Sequence, residues 1–92
     1  MSHADAIRLV AACAQCEMAL VRDDPVAGPL LVQAARGGEG TEAEPYLAAA
    51  ARLARGLDRR DGSPGARARR KVVQALVRAA STEAGALALR GP

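Results

Sequence analysis

The sequence predicts an all-α fold: a compact bundle of four helices over approximately 4–23, 29–36, 44–60 and 64–80 or beyond, the second short. Three observations carry that prediction. Apolar residues recur at three- and four-residue intervals, and no stretch alternates as a half-buried strand does. Alanine, the best helix former, supplies 23 of the 92 residues. Glycine and proline gather in a few short breaks instead of scattering through the apolar runs. At this length one domain, 1–92, is expected.

The first helix is read from 4–23, a stretch without glycine or proline. Leu9, Cys13, Cys16 and Leu20 share one face at about 100° per residue. Ile7, Val10, Ala14, Met18 and Val21 make a second apolar face, and Arg8, Gln15 and Arg22 mark a narrow polar stripe. A helix apolar over so much of its circumference is usually enclosed by others, so this one is expected at the centre of the core. Asp24-Pro25 stops it, because a residue preceding proline avoids the helical region.

Gly28-Pro29 opens the short second helix, proline suiting a first helical turn. Leu30, Leu31, Val32, Ala34 and Ala35 follow, up to Gly37-Gly38. Thr41 and Glu44 have the spacing of a capping box. After them Tyr46, Leu47, Ala50, Leu53, Ala54 and Leu57 repeat at helical intervals, which extends the third helix to 60. Ser63-Pro64 is a cap followed by proline. In the fourth helix Val72, Val73, Leu76, Val77 and Ala80 form an apolar stripe. Arg67, Lys71, Gln74 and Arg78 oppose it, with Arg70 beside them. Ser81-Thr82 weakens the helix, but the alanine-rich tail to Leu89 can prolong it.

Charge divides the chain. Residues 1–46 carry three Arg against seven Asp or Glu; residues 47–92 carry ten Lys or Arg against three Asp or Glu. The basic excess is densest from Arg67 to Lys71. Cations in a first helical turn oppose the helix dipole, each by about 0.3–1 kcal/mol when exposed. Two readings follow: a solvated basic face, answered by the acidic half of a neighbouring subunit, or a surface for an anionic partner. The candidate contact residues are Arg52, Arg55, Arg59, Arg67, Arg70, Lys71 and Arg78. Without Phe or Trp, and with Tyr46 as the lone aromatic, base stacking is a poor fit. Phosphate contact with a duplex is the mode such a face can support.

Reactive constellations are missing from the pattern. His3 is the single histidine and sits near the N-terminus, read here as loosely held, so a Ser-His-Asp or Cys-His unit has no base. Cys13 and Cys16 fit C-x-x-C, but mid-helix and without a preceding strand, away from the helix N-terminus that lowers a thiol pKa. Two ligands fall short of the four that zinc usually takes. They read as buried small hydrophobes, with a disulfide or shared metal across a dimer as the thiol alternatives. No catalytic residue, metal site or cofactor is expected.

No run is long and apolar enough for a membrane helix, and the N-terminus does not read as a signal peptide. A cytoplasmic setting is therefore expected, and the alanine, arginine and glycine bias points to a GC-rich bacterial genome. Half of the hydrophobic residues are alanine, so the core is thin for a lone chain of this size. The function expected is that of a non-enzymatic interaction module (an adaptor, chaperone-like or accessory subunit) that self-associates as a homodimer or holds a protein partner. The alternative is a duplex nucleic-acid binder working through the basic fourth helix.

Overall fold

A computed structural model describes residues 1–57 and 61–91. Its elements are α1 (His3–Val21), α2 (Ala27–Gly37), α3 (Glu44–Ala54) and α4 (Pro64–Leu89), with no strand among the described residues. The all-α four-helix bundle read from the sequence is the architecture found.

Each helix packs against two others. α1 lies beside α2 and α4, and α3 beside α2 and α4, while the pairs α1–α3 and α2–α4 are diagonal, their described backbones more than 8 Å apart. The end of α1 (Leu20), the start of α2 (Ala27), the end of α3 (Ala54) and the start of α4 (Arg70) line one groove. Successive helices therefore run in opposite directions, as short connections require. The 26 residues of α4 span about 39 Å, most of the 45 Å length of the molecule. α4 is the longest element, and α1 and α3 pack along it.

The core is built from few large side chains. Leu31, Leu47, Val73, Val77, Cys13 and Cys16 are fully buried, and Ala34, Ala43, Ala50, Ala80 and Ala84 fill the space between them. Alanine at these positions lets the helix backbones approach closely, so a small number of leucines and valines suffices to close the interior.

The local signals explain the helix ends. Ser2 caps α1 by accepting the Asp5 N–H at 3.1 Å. His3 is not loosely held: it begins α1, half-buried, with Nδ1 enclosed and without a hydrogen-bond partner. α1 ends at Val21, before the Asp24-Pro25 stop, through a left-handed Asp23 at φ 51. The Asp23 N–H reaches the Leu20 carbonyl at 3.2 Å, and the Asp24 N–H reaches that of Ala19 at 2.9 Å. The Asp24 carboxylate accepts the Val26 N–H at 2.9 Å in the turn that precedes the next helix. α2 begins at Ala27, two residues earlier than Gly28-Pro29 indicates, and without a side-chain cap bond.

Thr41 and Glu44 do not form the predicted capping box: α3 follows Ala43 with no side-chain cap bond, and the two side chains instead tie down the loop before it. Glu44 accepts the Gly40 N–H at 2.6 Å, and Thr41 Oγ1 accepts the Ala43 N–H at 3.2 Å. α3 ends at Ala54, not 60. The apolar period continues to Leu57, but glycine at 56 costs a helix about 1 kcal/mol relative to alanine, and the chain turns there. Ser63 caps α4 as read, accepting the Ala66 N–H at 3.2 Å. α4 does not break at Ser81-Thr82; Thr82 bonds back to the Arg78 carbonyl at 3.1 Å and the helix runs on to Leu89.

Asp23 holds a conformation that favours glycine, and it places a carboxylate at the negative end of the α1 dipole. Asp23→Gly relieves both. We expect it to stabilise the fold by about 1 kcal/mol, an increase of about 4–8 °C in Tm for a domain of this size. Calorimetry that shows a lower Tm contradicts this account of the turn.

Candidate functional site

α1 differs from the sequence expectation in one respect that bears on function. It is not enclosed. Ala6, Leu9, Cys13, Cys16 and Ala19 face the core, and Val10 and Leu20 are partly buried against it. The rest of the second apolar face turns to solvent: Ile7 is 50 % exposed, Met18 53 % and Val21 75 %. Ala4, Ala11 and Ala14 are exposed alongside them. α3 lies across the bundle from α1, and none of the described residues covers that side of α1. Scattered exposed apolar residues are ordinary, but a contiguous patch marks an interaction surface.

Polar residues border this strip. Arg8 lies on one side with Gln15 and Arg22; Val10 and Glu17 lie on the other. Arg8 is already engaged, donating to Asp5 at 2.6 Å. That bond, with the one from Ser2, lowers the Asp5 carboxyl below its ordinary range. Among the described residues Glu17 and Arg22 form no ion pair.

The described basic candidates are spread over α4 and the end of α3. Arg67, Lys71 and Arg78 are exposed along α4. Arg70 instead turns toward the bundle end, where it donates to the Asp61 carbonyl. Asp61 also accepts the Ser63 N–H at 2.9 Å, which lowers its carboxyl pKa. The acceptors of this turn sit close to the cationic start of α4 and offset part of the dipole cost of its cations. Arg52 is exposed in the last turn of α3 and Arg55 is exposed just past it. Arg59 lies outside the described residues. Among the described residues no carboxylate pairs with Arg52, Arg55, Arg67, Lys71 or Arg78.

The groove at that end has a volume of about 790 Å³. Asp23 and Asp24 share its lining with Arg55 and Arg70, over an apolar floor that includes Leu20, Val32 and Leu57. Among the described lining residues both charge signs are present in equal number.

Cys13 and Cys16 are free thiols, buried completely in the core. Burial raises both pKa values from 9.0 to about 11; Glu17 adds to the rise in each, and for Cys16 the neighbouring Cys13 contributes more than Glu17 does. These are the properties of packing residues, opposite to those of a reactive thiolate. Among the described residues no three His, Cys, Asp or Glu side chains gather where they could hold a metal ion, and no helix is long and apolar enough to cross a membrane.

No protein-family model, curated protein or solved structure matches this chain.

Proposed function

We infer that this protein is a non-enzymatic interaction module that self-associates as a homodimer through the outer face of α1. The observation that carries the reading is the open apolar strip of Ile7, Met18 and Val21 on a helix whose opposite side is packed into the core. A second copy covers that strip and adds buried area to a core made largely of alanine. The role is that of an adaptor or accessory subunit, which works by presenting surfaces and holding other chains.

A second reading, duplex nucleic-acid binding, draws support from Arg67, Lys71 and Arg78, exposed on α4 and without an ion pair among the described residues. Such cations contact phosphate, and binding through them weakens steeply with salt. The same stripe serves as a solvated face that keeps the module soluble.

Light scattering at micromolar concentration separates the two. The interaction module gives a particle of twice the 9.4 kDa chain mass, unchanged by duplex DNA at low salt. A 9.4 kDa particle that shifts with duplex, and loses the shift in Arg67→Glu, Lys71→Glu, overturns the first reading in favour of the second.

A further inference from the structure

We propose that the homodimer is a parallel, in-register pairing of α1 with α1 of a second copy of this chain, fixed by an ion pair from Glu17 of each copy to Arg22 of the other. This inference rests on the self-association reading above and specifies its geometry.

The outward residues of α1 are Ala4, Ile7, Ala11, Ala14, Met18 and Val21, all exposed. Their intervals alternate between three and four residues along the helix. That is the spacing of the apolar seam of a two-stranded coiled coil, in which first and fourth positions of each heptad meet a facing helix. The strip is thus continuous along α1 and lies opposite the buried face of Leu9, Cys13 and Cys16. Ala11 and Ala14 at its middle permit close approach, while Ile7 toward one end and Met18 and Val21 toward the other supply the larger apolar contacts.

The flanking residues choose the direction. In a parallel pair, the residue just before a seam position faces one five places further along the partner helix. Glu17 then lies opposite Arg22 of the second copy, and symmetry makes the pair twice. Neither has an ion-pair partner within its own chain among the described residues, so both are available. In an antiparallel pair Met18 packs on Ile7 of the second copy. Glu17 then borders Val10, and Arg22 meets no carboxylate. The charge pattern therefore fits the parallel arrangement and not its reverse.

Two measurements test the geometry, both on the full chain with its buried native cysteines retained. In the Val21→Cys variant, mild oxidation with diamide should link most of the protein as a covalent dimer, because in-register seam positions lie side by side. An equimolar mixture of Ile7→Cys and Met18→Cys chains should yield no 7–18 linked species by mass spectrometry. Glu17→Arg should weaken self-association about tenfold by turning two attractions into repulsions, and mixing it with Arg22→Glu should restore pairing. A dimer that links 7 to 18, or fails to link at 21, overturns the parallel geometry and leaves the interaction module intact. A chain that stays monomeric under all conditions overturns both.

Discussion

Leu47→Ala is expected to cost about 2–5 kcal/mol, toward the upper end of that range. Leu47 is fully buried and sits on α3, which touches α2 and α4. The cost of such a truncation depends on how far the neighbours collapse into the space left behind. Here the buried cluster to which Leu47 belongs is rich in alanine, including Ala43, Ala50, Ala80 and Ala84, whose single methyl groups cannot reach across a gap. A domain of this kind has about 5–15 kcal/mol of stability in all. The variant should therefore unfold at least about 10 °C below the parent, and Leu31→Ala on α2 should behave alike. A Tm unchanged in both variants would place the core elsewhere.

The second large effect is alkaline. The Cys13 and Cys16 thiols titrate near 9.0 when exposed and near 11 in the folded protein. The folded state thus holds protons that the unfolded state releases, so its advantage is complete below pH 9.0 and is lost as pH rises through about 11. A tenfold change in acidity corresponds to about 1.4 kcal/mol, so the loss comes to about 2–3 kcal/mol per thiol. Urea midpoints measured from pH 8 to pH 11 should fall steeply for the parent and less for a Cys13→Ala, Cys16→Ala variant. Parallel pH curves for the two proteins would contradict this assignment. Below pH 9.0 the same burial predicts slow alkylation of both thiols in the native state, becoming rapid in urea.

How much of the fold is legible in the sequence depends on the element. The beginning of α4 is readable because Ser63 and the proline after it state it locally, whereas the cap of α1 at Ser2 comes to light only in the structure. The end of α3 is not readable, because its apolar period runs through Leu57 while the backbone turns near Gly56. The start of α2 at Ala27 is not readable either, because no side-chain cap marks it and Gly28-Pro29 points two residues further on. The two apolar faces of α1 are visible, but not which of them is buried. An alanine-rich helix has little contrast between its sides. What decides the matter is tertiary: α1 has two neighbours and α3 is not one of them. The basic residues are likewise visible as a set, while their separation into an outward stripe and the inward-turned Arg70 follows from the packing of α4.

In the proposed homodimer the outer face of α1 is the surface through which the two copies meet, and its larger side chains can be replaced without disturbing the core. Ile7 and Met18 contribute to solvent-facing surface, so Ile7→Ser, Met18→Ser should leave the monomer fold in place. Sedimentation equilibrium on the parent and this variant is the most direct test. The parent should sediment as a dimer and the variant as a 9.4 kDa monomer with the helical circular dichroism of the parent. A parent that remains monomeric at every concentration, or a variant that remains dimeric, would contradict the account.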